Sequence, residues 1–215
     1  MHVVVNAAMS ADGKLSSRRR EQVAISGPDD FDRMDTLRVE SDAIVVGVGT
    51  VLADDPSLTA DGGTNPLRVV ADSRARTPTD ARILDDRADT VVFVSESASD
   101  ERIGKLRDAG GKVVVAGDER VSLETAFSDL ESRGVEQVMV EGGGELIFSL
   151  FADGLVDELR LYVGSLIIGG RDAPTLADGE GFVARGEFPP LELTTVERID
   201  DGVLLRYSVS SFEKS

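Results

Sequence analysis

Residues 47–50 of this 215-residue chain read Gly-Val-Gly-Thr and directly follow an apolar run, and Asp54 lies one helical turn beyond Thr50. Glycines let a backbone approach a ligand closely, and the hydroxyl and carboxylate could then hold its polar groups. The spacing differs from the Gly-x-Gly-x-x-Gly turn of Rossmann dinucleotide sites, because Leu52 occupies the sixth position. The alternative is a plain strand-to-helix turn that ends at Asp54-Asp55-Pro56.

Three consecutive glycines, Gly142, Gly143 and Gly144, form a second candidate site between an apolar run and a predicted helix. Such glycines expose amide donors at a helix N-terminus, an arrangement that suits a phosphate or pyrophosphate. Glu145 places a negative charge at the same point, which opposes this use. Close packing of the strand against the helix is the alternative, but the pattern favours ligand binding.

The segment Asp72-Ser73-Arg74-Ala75-Arg76 ends another apolar run. In open α/β sheets, ligands bind beyond the carboxyl ends of the strands. A hydroxyl and a planar guanidinium at such a point suit a phosphate monoester, for example the 2′-phosphate of NADP. Solvated surface arginines are the equally supported alternative.

Three further segments carry weaker signals. Residues 10–14 (Ser-Ala-Asp-Gly-Lys) are typical of a tight turn in a plain loop. The run Arg18-Arg19-Arg20 is too short to predict nucleic-acid binding, although it could help to hold an anionic substrate. The glycine-containing segment 169–175 is either a lid or a simple connection.

The composition excludes several kinds of chemistry. The chain has no Cys, and its one His is His2. Thiolate nucleophiles and Cys-based zinc sites are therefore excluded, and a Ser-His-Asp triad or a His-rich metal site is not expected. An enzyme of this composition must work with carboxylates, hydroxyls, backbone amides or a bound cofactor.

The charge balance also limits the possible partners. Forty acidic residues against 23 basic ones give a formal net charge of −17. Such a surface repels phosphate backbones and anionic lipids, so we expect neither nucleic-acid nor membrane binding. The sequence has no 18-residue apolar stretch and no signal-peptide pattern, which predicts a soluble cytoplasmic protein. The excess of acid also indicates a salt-loving source, whose salty cytosol would screen the repulsion.

Alternating strands and helices must position these segments. We predict strands at 2–8, 42–46, 68–71, 90–94, 112–116, 137–140, 157–168, 191–199 and 203–212. Helices are predicted from Pro28 and at 99–109, 122–133 and 145–152. The pattern indicates one α/β domain over residues 1–215, with three αβα layers and a mostly parallel central sheet. Asp200-Asp201-Gly202 predicts an antiparallel hairpin at the C-terminal end.

The ordered motifs are more specific together than singly. They read Ser10-x-Asp12-Gly13-Lys14, then Gly47-Val48-Gly49-Thr50-Val51-Leu52-x-Asp54-Asp55-Pro56, Asn65-Pro66-x-Arg68-Val69-Val70-x-Asp72-Ser73, Glu141-Gly142-Gly143-Gly144 and Gly169-Gly170-x-x-Ala173-Pro174-Thr175. From about residue 2 to residue 210, the chain closely resembles the riboflavin-biosynthesis reductases that act on 2,5-diamino-6-(5-phosphoribosylamino)pyrimidin-4(3H)-one 5′-phosphate. The archaeal stand-alone type is nearest, and the chain is similar to the reductase domain of bacterial deaminase-reductases.

The resemblance implies a dihydrofolate-reductase-like fold, a homodimer and NADPH-dependent reduction of the substrate's ribosyl group to a ribityl chain. The zinc deaminase found beside this domain in bacteria needs one His and two Cys ligands, and this chain has no Cys, so the reductase alone is expected. Two other functions stay open at this point. These are reduction of a dihydropterin, and non-catalytic binding of NADP.

The resemblance also implies roles for particular residues, without identifying a catalytic residue or a metal ligand. Cofactor contacts are implied for Ala8, Thr50, Asp54, Ser73, Arg74, Ala75, Arg76, Gly142, Gly143, Gly144 and Glu145. Substrate contacts are implied for Gln22, Arg38, Leu58 and Glu141. This chain departs from its relatives at Glu145, where Thr is frequent, and at Ala24 and Asp61, where bacterial relatives carry Trp and a basic residue.

Overall fold

The computed structural model describes residues 1–21, 23–62 and 64–210. Its strands are β1 (His2–Ser10), β2 (Ala43–Gly47), β3 (Leu67–Ala71), β4 (Thr90–Val94), β5 (Lys112–Val115), β6 (Gln137–Gly142), β7 (Glu158–Gly164), β8 (Leu191–Ile199) and β9 (Gly202–Val209). Its α-helices are α1 (Pro28–Glu40), α2 (Val48–Asp54), α3 (Asp100–Asp108), α4 (Leu123–Ser132) and α5 (Gly144–Ala152). Short 3-10 turns lie at Arg82–Leu84 and Arg185–Glu187.

The strands form a mixed nine-stranded sheet in the order β5-β4-β3-β2-β6-β1-β7-β9-β8. β2 pairs in parallel with β3, β3 with β4, β4 with β5, and β1 with β7. β9 pairs antiparallel with both β7 and β8. The predicted α/β class, the largely parallel sheet and the antiparallel C-terminal hairpin are therefore confirmed.

The chain divides into two compact units. Unit 1 comprises Met1 and Asp35–Met139, and unit 2 comprises His2–Met34 and Val140–Ser215. The β-branched and apolar side chains of β2, β3 and β4 make up much of the core of unit 1, while β1, β7 and α5 supply much of the core of unit 2. Such uniformly apolar strands are typical of a parallel sheet that is covered on both faces.

Unit 1 also buries the positively charged side chain of an arginine. Arg68 of β3 is fully buried, and its Nη1 lies 2.7 Å from Asp85 Oδ1. Its Nη2 donates to the backbone carbonyls of Asp85 and Ala88. Desolvation would raise the pKa of Asp85, but hydrogen bonds from Arg68 and Arg87 outweigh it and lower the pKa to about 2. This ion pair fixes the β3–β4 connection against the core.

In unit 2, the turn between β8 and β9 supports two distant elements. Asp200, at φ 51°, accepts hydrogen bonds from the backbone amides of Asp29 at 3.3 Å and Asp30 at 3.1 Å. These amides belong to the first turn of α1, which has no intrahelical partners for them. Asp201 accepts a hydrogen bond from the Tyr162 hydroxyl at 3.2 Å. Desolvation, followed by the effect of Asp201, raises the pKa of Tyr162 to about 12.

Several predicted boundaries are wrong, most clearly at β7. The strand predicted at 157–168 ends at Gly164, because the following amides of Ile168 and Gly169 donate to the Asp12 carboxylate rather than to a neighbouring strand. β6 continues to Gly142, two residues beyond its predicted end, and α5 begins at Gly144. β9 spans Gly202–Val209, while residues 211 and 212 of its predicted span lie outside the described residues.

Candidate functional site

In unit 1, the turn from β2 into α2 presents the first predicted group of site residues. The helix begins at Val48, so Gly49 lies inside it, and a Cβ at Gly49 would meet no atom within 4 Å. Thr50 and Asp54 lie four residues apart and therefore share one face of α2. Asp54 is exposed, but partial desolvation still raises the pKa of its carboxyl. This end of unit 1 has open space beside its backbone.

The loop after β3 lies at the same edge of the sheet, because Gly47 is in register with Ala71. A fully buried Asp72 starts this loop and accepts hydrogen bonds from Thr77 N at 2.7 Å and Thr77 Oγ1 at 2.8 Å. Ala75 is left-handed at φ 49°, which turns the chain between these two anchors. Arg76 is half-exposed, and its Nε lies 3.9 Å from Asp72 Oδ1.

Backbone and side-chain hydrogen bonds fix the start of this loop. The Ser73 carbonyl accepts from Ser95 N at 3.2 Å and from Ser95 Oγ at 2.8 Å. Ser73 Oγ accepts from Val121 N at 3.1 Å, and the Arg74 carbonyl accepts from Arg102 Nη1 at 3.2 Å. The carbonyl and hydroxyl oxygens of Ser73 therefore accept hydrogen bonds within the fold, and its hydroxyl could still donate one to a ligand. The Arg74 and Arg76 side chains project from a fixed backbone.

The other predicted residues of unit 1 are less open to a ligand. Arg38 Nη1 donates to the Thr59 carbonyl at 3.2 Å. The Leu58 side chain is buried at 2% exposure, so this residue can offer only backbone groups, in a left-handed conformation at φ 47°. Asp61 is exposed, and its amide donates to the Asp35 carboxylate at 3.0 and 3.1 Å.

In unit 2, the glycine triplet opens α5, and each glycine has its own structural reason. Gly142 and Gly143 have φ values of 157° and 97°. A Cβ on Gly144 would lie 2.6 Å from Asp178 Oδ2 and 2.7 Å from the Thr175 carbonyl oxygen. Close packing by residues 175–178, here named the strap, therefore accounts for Gly144. The approaching segment is the strap rather than the strand–helix crossing considered from the sequence.

Hydrogen bonds hold the strap in place. Asp178 Oδ1 accepts from Thr175 N at 3.1 Å and from Thr175 Oγ1 at 2.6 Å. Asp178 N in turn donates to the Gly144 carbonyl at 3.1 Å. Glu145 is exposed in the first turn of α5, where a negative charge is favourable to the helix dipole. The first-turn amides of α5 have no intrahelical acceptors and could hold a pyrophosphate.

The predicted residues divide between the units. Unit 1 contains Thr50, Asp54, Ser73, Arg74, Ala75, Arg76, Arg38 and Leu58. Unit 2 contains Ala8, Glu141, Gly142, Gly143, Gly144 and Glu145. Ala8 is on β1 in register with Tyr162, and Glu141 is half-buried on β6. Gln22 lies outside the described residues.

Sequence reasoning missed Thr77, Ser95 and Asp178, which shape the two loops. Asp178-Gly179 is a turn dipeptide and offered a local signal for the strap. Thr77 and Ser95 offered none, because their roles depend on contacts with Asp72 and Ser73 made across the loop.

Each unit offers groups that could bind part of a phosphorylated dinucleotide. In unit 1, open space beside Gly49 and two exposed guanidinium groups, those of Arg74 and Arg76, could take an adenosine phosphate and a sugar. In unit 2, the start of α5 supplies amide donors. No helix within residues 1–21, 23–62 and 64–210 is both long and apolar enough to cross a membrane.

The nine-stranded mixed sheet has the dihydrofolate-reductase-like fold of the pyrimidine reductases. Residues 1–205 match the family described as the RibD C-terminal domain, and the chain belongs to that family. The family uses a nicotinamide cofactor.

Similar proteins extend along almost the whole chain. A protein of Archaeoglobus fulgidus named 2,5-diamino-6-ribosylamino-4(3H)-pyrimidinone 5′-phosphate reductase is 47% identical over 213 residues, covering 94% of both chains. A protein of the same name from Methanothermobacter thermautotrophicus is 46% identical and covers 97% of this chain and 98% of its own. The riboflavin biosynthesis protein RibD of Actinobacillus pleuropneumoniae is 32% identical, and this chain covers 57% of it.

Solved structures agree on the fold. A pyrimidine reductase-like protein from Corynebacterium diphtheriae superposes with a TM-score of 0.84 at 21% identity, covering 97% of this chain and 92% of that one. RibD of Acinetobacter baumannii superposes with a TM-score of 0.80 at 24% identity, covering 97% of this chain and 58% of that one.

Proposed function

We propose that this chain is an NADPH-dependent reductase of riboflavin biosynthesis. Its substrate would be 2,5-diamino-6-(5-phosphoribosylamino)pyrimidin-4(3H)-one 5′-phosphate, and its product the ribitylamino compound. The observation that carries this proposal is the 47% identity to a reductase of that name, which extends over 94% of both chains. Residues 1–215 would form a single reductase domain.

The proposed roles of the cofactor-binding residues are those that the resemblance to the family implies. Arg74 and Arg76 would bind the 2′-phosphate, and the start of α5 would bind the pyrophosphate. Thr50 and Asp54, on one face of α2, would hold the nicotinamide end. When bound, NADPH would supply a hydride for C1′ of the ring-opened imine, and the proton that the imine nitrogen needs would come from water.

The remaining residues would orient the substrate. Glu141 would accept hydrogen bonds from the pyrimidine or from sugar hydroxyls, and Ala8 would contribute backbone contacts. Arg38 would bind near the substrate phosphate, and Leu58 would contribute backbone groups alone, because its side chain is buried. The absence of Cys and the single His are compatible with this chemistry, since the hydride donor is the cofactor.

Loss of reduced-nicotinamide absorbance with the aminopyrimidine substrate tests the function directly. We expect oxidation of NADPH with the non-deaminated substrate, and little with its deaminated form or with dihydrofolate. Thr50→Val and Asp54→Asn should each weaken NADPH binding and slow turnover. Oxidation with dihydrofolate alone would refute the proposal in favour of a pterin reductase. Tight NADPH binding without turnover of any of these compounds would indicate a non-catalytic NADP-binding protein.

We also propose that the protein is a homodimer, and one face of the β8–β9 hairpin supports this. Leu191, Leu193 and Val196 of β8 are 43%, 50% and 61% exposed. They are in register with Val209, Tyr207 and Leu205 of β9, so all six side chains share one face. These six side chains carry no formal charge, and the exposed Arg198, in register with Val203, adds a positive group to the same face. Two copies of a chain whose net charge is −17 would therefore meet there with less repulsion than at an acidic face. A twofold axis would make the face self-complementary.

Sedimentation in molar salt tests the dimer. Val196→Asp places a charge at the most exposed apolar position of the hairpin face and should shift the protein towards a monomer. Val183→Asp is the matched control, since Val183 is 92% exposed but lies outside the face. A monomeric wild type, or a Val196→Asp variant that sediments as the wild type does, would contradict this interface.

We further propose that the enzyme works in the cytoplasm of a salt-loving organism. The charge of −17 supports this, because dissolved salt screens repulsion among exposed carboxylates and between them and anionic ligands. Activity measured over a salt series tests the proposal. Equal activity in low and molar salt would remove the salt-loving inference and leave the reductase proposal unaffected.

A further inference from the structure

The two carboxylate oxygens of Asp72 have different surroundings. Oδ2 accepts hydrogen bonds from Thr77 N at 2.7 Å and Thr77 Oγ1 at 2.8 Å. Oδ1 is buried and accepts no hydrogen bond from any residue that the structure describes. Arg76 Nε lies 3.9 Å from Oδ1, within ion-pair range but beyond a hydrogen bond. A fully buried carboxylate therefore has one satisfied oxygen and one that faces a half-exposed cation at a distance too long for a hydrogen bond.

The backbone between these residues is fixed. Ser73 and Arg74 are held by bonds from Ser95 and Arg102, and Thr77 is 4% exposed. Ala75 is 5% exposed and left-handed at φ 49°. Arg76 is therefore anchored on both sides, while its side chain remains 53% exposed.

We propose that Asp72 is a positioning residue that acts through Arg76 to give the site its preference for a phosphorylated adenosine ribose. This inference rests on the proposed use of NADPH. A guanidinium has five N–H donors in a rigid plane. When its Nε–H points to Oδ1, the pair of N–H groups at its far end, one from each Nη, points away from Asp72. That outward pair matches two oxygens of a phosphate monoester.

Ligand binding would complete the arrangement. An unmet oxygen on a buried carboxylate is costly, and the cost falls when Arg76 Nε closes from 3.9 Å to hydrogen-bonding distance. A phosphate on the Nη side fixes the guanidinium in that orientation. Asp72 therefore contributes to binding of the 2′-phosphate without touching it, and it contributes nothing to a ribose without that phosphate.

Four variants and two small ligands test this coupling. Asp72→Asn retains a carbonyl oxygen for Thr77 and replaces the oxygen that faces Arg76 with an NH₂ group. Arg76→Gln removes the guanidinium, and the double variant removes both groups. Arg107→Gln, at an exposed position on α3, is the control for loss of one positive charge. Calorimetry with 2′,5′-ADP and 5′-AMP measures binding without turnover.

We expect Asp72→Asn and Arg76→Gln each to raise the Kd of 2′,5′-ADP about tenfold, the usual order for a charged hydrogen bond. The Kd of 5′-AMP should stay unchanged in both, and Arg107→Gln should bind both ligands as the wild type does. The double variant should bind 2′,5′-ADP no more weakly than Arg76→Gln alone, since Asp72 acts through Arg76.

Equal weakening of both ligands by Asp72→Asn, or effects that multiply in the double variant, would show a general structural role and overturn the inference. If Asp72→Asn does not fold, Arg76→Lys replaces it. Lysine lacks the planar fork, so 2′,5′-ADP should again be weakened selectively, and wild-type binding would overturn the inference. A wild type without preference for 2′,5′-ADP would instead contradict the proposed use of NADPH.

Discussion

Replacement of Gly49 by Ala should change stability and cofactor binding in opposite directions. Gly49 lies within α2, and a Cβ at this position meets no atom of the protein within 4 Å. Glycine in a helix is less favourable than alanine by about 0.5–1 kcal/mol, so Gly49→Ala should stabilise the fold by that amount. In a domain of this size, the gain corresponds to a rise in Tm of roughly 2 °C.

The same methyl group would occupy space that the proposed cofactor needs. Forcing a methyl into a filled contact costs about 1–3 kcal/mol, which corresponds to a Kd raised about fivefold to 150-fold. Thermal unfolding in molar salt would give the stability change, and fluorescence titration with NADPH would give the Kd. The wild-type side chain is a single hydrogen, so no lost contact complicates the comparison.

Gly104→Ala is the matched control for this experiment. Gly104 lies inside α3, also in unit 1, and a Cβ there likewise meets nothing within 4 Å. The Tm of this variant should rise by a similar amount, and it should bind NADPH with the wild-type Kd. If Gly49→Ala binds NADPH as tightly as Gly104→Ala does, the proposed close approach of cofactor to the β2–α2 turn is refuted. A lower Tm for Gly49→Ala would refute the open space itself.

Three other outcomes follow from the same structure. Gly144→Ala should lower the free energy of unfolding in urea by about 1–3 kcal/mol, because its Cβ would overlap Asp178 and the Thr175 carbonyl. Asp85→Asn should lower it by about 1 kcal/mol at neutral pH, after a discount for solvent screening. The pKa of Asp85 is lowered to about 2, so the ionised carboxylate stabilises the fold fully above its unfolded pKa, and this stabilisation is lost as the pH falls through about 2. The free energies of unfolding of the wild type and Asp85→Asn, measured in urea, should therefore converge near that pH. Removal of salt should lower both the urea midpoint and NADPH affinity, whereas unchanged values would contradict the screening argument.

Most of the fold could be predicted from the sequence, because its signals are local. The strand at Thr90–Val94 has the predicted bounds, since its apolar β-branched run leaves little choice. Ser99 and Ser122 cap α3 and α4 with their side chains, and Gly110 and Gly134 follow those helices at positive φ, as their residue types favour.

The largest error in the predicted strand boundaries arises where backbone amides donate to a side chain that is distant in the sequence. β7 stops at Gly164 because later amides bond to Asp12, 156 and 157 residues away in the sequence. The pKa of Asp12 is lowered to about 2, first by the Ser10 hydroxyl and then by the Ile168 amide. Residues 10–14 therefore tie two loops together, a role that the turn pattern alone did not reveal.

The candidate site shows the same limit. Residue types in the loop after β3 indicated an anion site, but the burial of Asp72 and its bonds to Thr77 depend on how the loop folds. The glycine triplet indicated either a ligand or close packing, and only the strap at Thr175 and Asp178 separates the reason for Gly144 from those for Gly142 and Gly143.

The β8–β9 turn also has a consequence for synthesis of the chain. Asp200 satisfies the amides of Asp29 and Asp30, which leave the ribosome 171 and 170 residues earlier. The first turn of α1 is therefore capped only after Asp200 has been synthesised, and β1 gains its parallel partner β7 only after residue 164. Residues 35–139 of unit 1 are synthesised before either partner, so unit 1 can begin to fold while β1 and α1 still lack these contacts.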